Sequence, residues 1–223
     1  MTTMPSTDVL RATTQSLHRA AEHLLAAARK RASGEITLAP APGGVATPAL
    51  PDGRVMALEG ADVVVRGPGG VRRARLTTLA EAAEAVGLQP GFPWTKHRPG
   101  TEYEPHAELF VDPKAAAALA GWFAIGEETL VALAAEVLAE QPSTPQVFPE
   151  HFDLGITAGA VNYGFSPGDA AIPTPYVYVS PHDALMDNRF WNVPFGAYRT
   201  WGEVATAEEA LQFFRAARAV LGL

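Results

Sequence analysis

The segment 152–166, FDLGITAGAVNYGFS, leaves few choices of fold. Apolar residues alternate with polar or glycine residues on both sides of Gly159 and Ala160, which is the period of an extended strand, not a helix. A turn at those two residues pairs 158 with 161, 156 with 163 and 154 with 165. The side chains then separate onto two faces. Phe152, Leu154, Ile156, Val161, Tyr163 and Phe165 share one, expected to be core. Asp153, Gly155, Thr157, Asn162, Gly164 and Ser166 share the other. A chain containing this hairpin has to build an antiparallel sheet around it.

The rest of the chain supplies further strands and the helices to cover them. Residues 8–32 read as an amphipathic helix, with Leu10, Leu17, Ala21, Leu24, Leu25 and Ala28 on one stripe and Arg11, Arg19, Glu22 and Arg29 largely off it. Gly34 is its stop signal. His18 and His23, five apart, do not face one another on an α-helix, and each is expected to be partly exposed. Short β-rich segments between 35 and 76, separated by Pro and Gly clusters, read as antiparallel strands and hairpins, with 39–53 as a loop. Thr78 and Glu81 form a capping box for a helix over 79–86 ended by Gly87. Residues 89–108 look irregular. Asp112 followed by Pro113 starts a helix that runs to about 140, broken near Gly126. Strands return at 150–158, 160–166 and 175–180. A last helix opens on Thr206 and Glu209 and carries Leu211, Phe214, Ala217, Val220 and Leu221. This order predicts an α+β fold: an antiparallel sheet covered by helices, with amphipathic helices at both ends of the chain. One domain over 1–223 is expected, the 89–108 loop being the alternative boundary.

Composition removes several functional classes. The chain has no cysteine, which excludes a disulfide framework, a thiolate zinc site and a thiol nucleophile. Its net charge of −7 argues against a nucleic-acid partner. The one basic cluster, Arg66 with Arg72, Arg73 and Arg75, flanks a tight turn without interleaved aromatics. The N-terminus does not read as a signal peptide. The apolar run 115–126 is shorter than the about 20 residues a bilayer requires. A soluble, cytoplasmic protein with no membrane partner is expected.

The segments RVMALEGADVVVRGPGGVRRARLTTLAEAAEAVGL, PEHFDLGIT and PYVYV resemble the layout of an uncharacterised bacterial domain-of-unknown-function family, with a strand-hairpin-helix first half and an FDLA-type strand in the second. The resemblance lends no activity and no catalytic residue.

Chemistry concentrates on the polar face of the hairpin. In PYVYVS, sending Val177 and Val179 to the core sends Tyr176 and Tyr178 to the face of Asp153 and Asn162. His151 is expected on the same side, where Asp153 would orient its imidazole and leave the other nitrogen free as a base. Gly155 and Gly164 hollow the face and suggest room for a ligand. Asn162, Tyr176, Tyr178 and Trp191, the last from an aromatic loop after the strands, are the expected ligand-binding residues. The literal G-x-S-x-G at 164–168 is not a nucleophile elbow, because Pro167 has no N–H for an oxyanion hole; Ser166 to Asp169 reads as a type II turn. Two acidic and histidine groups, Glu102, Glu104, His106 and Glu108 with His97 near, and His151, Asp153, His182 and Asp183, do not encode convergence by their spacing. No metal and no cofactor is assigned, since neither a phosphate-binding nor a dinucleotide-binding glycine motif is present.

The expectation is a binding domain for a small polar-aromatic molecule on the 151–178 face, with an enzymatic His–Asp pair left open. The alternatives are a structural or protein-interaction module, a homo-oligomer or partner-binding protein whose sheet face or aromatic loop is an interface, and a histidine–carboxylate metal hydrolase.

Overall fold

A computed structural model of the chain describes residues 5–93, 98–183 and 189–223. Expectations for 94–97, which include His97, and for 184–188 of the aromatic loop lie outside the described residues. The chain forms two compact units: Met1–Gly121 with Val147–Phe152, and Trp122–Gln146 with Asp153–Leu223. The division falls within a helix and at both ends of a short return segment, not in the 89–108 loop. Both units combine helices with an antiparallel sheet, so the fold class is α+β.

In the first unit, α1 (Thr7–Ala20) continues through a π-helical stretch, Ala21–Ala26, into α2 (Ala27–Ser33) and ends on left-handed Gly34. Five strands follow: β1 (Ala39–Ala41), β2 (Gly44–Ala46), β3 (Val55–Glu59), β4 (Asp62–Gly67) and β5 (Gly70–Arg75), each paired with the next. The β1–β2 hairpin occupies part of the stretch expected to be loop. Pro42 and Gly43 (φ 83°) supply its turn, and Pro40 sits on an edge strand, where a missing N–H is tolerated. Met56, Leu58, Val63 and Val65 are buried. Helix α3 (Leu79–Val86) packs on β4 and β5, begins with Thr78 accepting from the Glu81 N–H, and stops at Gly87 (φ 71°). Its capping is one-sided, because the Glu81 carboxylate accepts from the Thr77 hydroxyl instead (2.6 Å).

Helix α4 (Pro113–Glu136) starts where Asp112 Oδ1 accepts the Ala115 N–H (2.8 Å). It is unbroken at Gly126. There the glycine makes room: a Cβ would meet the Phe165 ring at 2.9 Å and Leu154 Cδ2 at 3.0 Å, so close packing, not a helix break, explains the residue. By length and composition α4 is long and apolar enough to cross a membrane, an 18-residue stretch of it having a mean hydropathy of 1.4. Its apolar side chains Leu119, Trp122, Phe123, Leu130 and Leu133 are buried in the protein.

The second sheet has the order β10-β9-β8-β7-β6, where β6 is Gln146–Phe148, β7 Asp153–Ala158, β8 Val161–Ser166, β9 Tyr176–Pro181 and β10 Ala197–Thr200. The β7–β8 register is the expected one: Leu154 opposite Phe165, Ile156 opposite Tyr163, Ala158 opposite Val161. Leu154, Ile156, Val161, Tyr163 and Phe165 are each at most 4% exposed, and Val177 and Val179 of β9 join them. Helix α5 (Ala207–Leu221), with a complete Thr206–Glu209 capping box, sets Phe214 edge-on to Tyr163 and Phe165. Trp122 meets Phe165 from α4. Arg218 of α5 pairs with Glu140 and donates to the Tyr163 hydroxyl, so this buried hydroxyl has a partner.

Phe152 departs from the hairpin scheme. It is buried, as expected, but its φ of 55° lies in the left-handed region, the strand begins only at Asp153, and its ring stacks on His18 in the first unit. The core face is therefore built from 154 onward. Replacing Leu154 by Ala removes a fully buried side chain that touches the Gly126 contact, and is expected to cost about 2–5 kcal/mol in urea unfolding. A cost below about 0.5 kcal/mol would contradict this packing.

Candidate functional site

The β8–β9 register aligns the polar face. Tyr178 lies opposite Gly164, Tyr176 opposite Ser166 and Ser180 opposite Asn162. Asp153, at the start of β7, receives the Tyr178 hydroxyl on Oδ2 at 2.5 Å. The residues expected to share a face, Asp153, Asn162, Tyr176 and Tyr178, thus do so, but the space above the glycines is taken. A Cβ on Gly164 would stand 2.5 Å from Tyr178 Cζ and Oη. The hollow expected for a ligand is the seat of the protein's own tyrosine ring.

Around this pair the second unit gathers further rings and a second carboxylate. Tyr176 tilts against Tyr178 and stands edge-on to Tyr198, and Phe195 stands edge-on to Tyr178. The Tyr176 hydroxyl donates to Asp169 Oδ2 (2.7 Å). Asp169 Oδ1 accepts the N–H groups of Ala171 and Ile172, which fixes the loop after β8. Burial, reinforced by the facing carboxylate of Asp153, raises the Tyr178 pKa well above that of a free phenol. Tyr176 is raised as well, again chiefly by burial. Both hydroxyls therefore remain protonated donors at neutral pH. Phe195 is 42% exposed and Tyr198 half-buried, so the cluster has an open apolar side.

Asn162 sits at the far end of the same face. Its Oδ1 accepts from the Thr157 hydroxyl (2.8 Å) and lies 3.1 Å from His182 Nε2. Ser166 ends strand β8: its Oγ accepts the Gly168 N–H, its carbonyl accepts the Trp122 indole N–H, and the Asp169 N–H donates to the Ile172 carbonyl, so the hydrogen bond that would close a turn over Ser166 to Asp169 is not made.

Two expected members lie elsewhere. His151 is exposed, in the turn before β7 within the first unit, and its ring makes no hydrogen bond among the described residues. The left-handed Phe152 between His151 and Asp153 interrupts the strand alternation, so the pattern that would place the two side chains on one face does not run through residue 151. Trp191 packs against Phe190, whose ring stacks on Phe213 of α5 with Arg199 over both, a cluster separate from the tyrosines. Among the described residues no group of three His, Asp or Glu side chains converges as metal ligands.

The first unit holds a polar network that helical periodicity misses. Glu22 and His23 are each only 1% exposed, contrary to the exposed positions expected for both. They lie in the π-helical stretch, whose i→i+5 bonding shifts the helix phase and brings residues five apart toward one side. The Glu22 carboxylate accepts from the Gly100 N–H (2.7 Å), the Thr101 N–H (2.9 Å) and the Thr101 hydroxyl (2.6 Å). His23 Nδ1 accepts the Phe92 N–H (3.3 Å), so Nε2 carries the proton and faces the Thr101 hydroxyl and carbonyl. The His23 carbonyl accepts the Gly91 N–H. Burial raises the Glu22 pKa and lowers that of His23. Among the described residues these groups satisfy one another and hold the loops at 91–92 and 100–101 against the helix. The run AAEHLLAAA, a charged pair inside an apolar stretch, is the only trace of it in the sequence.

Comparison of the chain with protein-family models, with curated proteins and with solved structures finds no match.

His18 permits a pH test of the first unit. Its Nε2 meets the Pro149 carbonyl (2.8 Å), and burial, aided by the nearby His151 and His23, lowers its pKa from 6.5 to about 4. Between those values the unfolded chain binds a proton that the folded protein refuses, so stability is lost as pH falls through the window. His23, also lowered, acts in the same sense; Glu22, raised, opposes it. In thermal melts from pH 7 to 4.5, His18→Phe is expected to lose less stability than the parent. Parallel losses in the two proteins would contradict a neutral buried His18.

Proposed function

We propose that the protein binds a small polar-aromatic molecule on the face of β7, β8 and β9, without catalysis by a His151–Asp153 pair. The observation that carries this reading is the grouping of four aromatic rings, Tyr176, Tyr178, Phe195 and Tyr198, with two carboxylates, Asp153 and Asp169, on one sheet face whose outer ring is open to solvent. Ring edges and faces suit an aromatic ligand, and carboxylates beside protonated phenols suit its polar group, above all an ammonium. The closed ring–carboxylate pair gives the face a fixed shape, which favours binding by limiting the ordering it costs.

A second reading is supported by the Tyr178 ring over Gly164: a face with a structural or interaction role only. Titration with tyramine, an aromatic amine, separates the two. Saturable binding is expected, weakened about tenfold or more in Phe195→Ala and in Asp169→Asn, an energy of about 1.4 kcal/mol or more. No saturable binding at millimolar tyramine, or binding unchanged in both variants, would favour the structural reading.

A further inference from the structure

A groove in the first unit, remote in sequence from the tyrosine face, carries a different chemistry. One cleft of about 450 Å³ is lined by Arg31 of α2, by Asp52 and Arg54 before β3, and by residues 87–89 after α3. A smaller one of about 170 Å³ shares Asp52 and Arg54 and adds Arg72 and the glycine-rich β4–β5 turn. Among the residues lining the two clefts, three guanidinium groups thus outnumber the one carboxylate by two positive charges, and Asp52 is paired with Arg54.

The arginines are seated, and their donors are largely uncommitted. Asp52 accepts the backbone N–H and the Nε–H of Arg54 (3.0 and 2.6 Å), and among the described residues no hydrogen bond engages the terminal nitrogens of Arg54. The stem of Arg54 lies where a side chain on Gly67 would be, 2.8 Å from that Cβ position. The Arg72 guanidinium likewise occupies the space beside Gly87, and Arg72 makes no ion pair or hydrogen bond among the described residues. Its neighbours Arg66 and Arg73 are by contrast neutralised by Glu59 and Asp62. Arg31 spends its nitrogens on the carbonyls of Gln89 and Gly91, not on a carboxylate. Ala32, Pro51 and Leu88 provide an apolar wall.

We propose that this groove binds a small organic phosphomonoester, its phosphate held by the Arg54 and Arg72 forks and its organic part against Ala32, Pro51 and Leu88. A planar guanidinium fork matches phosphate oxygens two at a time. The charge of a monoester near neutral pH, about −1.5 to −2, matches that excess of two positive charges. Asp52 is the built-in competitor for Arg54.

Calorimetric titration of the full chain with phenyl phosphate at low ionic strength tests the assignment. Saturable binding is expected, about tenfold or more tighter than phenylacetate, and weakening as salt is added. Arg54→Gln and Arg72→Gln should each weaken it about tenfold with the thermal midpoint unchanged, since both side chains reach solvent. Asp52→Asn should tighten it by removing the competing carboxylate. Absence of saturable binding, affinity unchanged in both arginine variants, or phenylacetate bound as tightly as phenyl phosphate would overturn the proposal.

Discussion

Gly155 stands opposite Gly164 across β7 and β8, and the whole second sheet depends on that register. Side chains on a strand repeat every second residue, so a slip of one would send Leu154, Ile156, Tyr163 and Phe165 to the polar face and Asp153 to the core. Burial of those four side chains makes such a slip prohibitive. With the register held, β9 has one consistent arrangement: Val177 and Val179 join the core, and Tyr178 falls beside Gly164. The absent side chain lets the ring lie flat across β8 and bring its hydroxyl to Asp153. The polar pair on the outer face is thus a consequence of the apolar packing on the inner one.

The two units handle buried polarity in different ways. In the first, Glu22 is buried and, among the described residues, is held by two backbone N–H groups and a hydroxyl from the 100–101 loop, with no cationic partner at hydrogen-bonding distance. His23 completes the arrangement as a neutral ring. In the second, charge meets charge or phenol: Arg218 with Glu140 beside the Tyr163 hydroxyl, and Tyr178 with Asp153. A carboxylate that satisfies backbone donors fastens loops to a helix, since those N–H groups would otherwise be buried unpaired. That is why Glu22 acts as a fastening and not as an open reactive group.

What was legible in the sequence was local. The hairpin register, the Thr78 and Thr206 helix starts and the Gly87 stop all follow from spacing within a few residues, and the structure has them. The even period also assigned Tyr176 and Tyr178 to the face of Asp153. The failures share a different cause. A single left-handed residue, Phe152, ends the strand alternation before it reaches His151, and no pattern announces a positive φ at phenylalanine. The occupant above Gly164 comes from another strand, so glycine spacing alone could not separate ligand room from a tyrosine seat. One π-helical stretch shifted the phase of the first helix and buried the pair expected on its outside. Trp191 joined Phe190 and Phe213 because loop residues carry no period to assign them.

The central claim is that the Tyr178–Asp153 hydrogen bond is an energetic element of the second unit and not merely a contact. A double-mutant cycle with Tyr178→Phe and Asp153→Ala, read from urea unfolding of the parent, the two single variants and the pair, measures it directly. The account predicts a coupling energy of about 1–3 kcal/mol favouring the native pair. Additive losses, with a coupling within about 0.3 kcal/mol of zero, would contradict it.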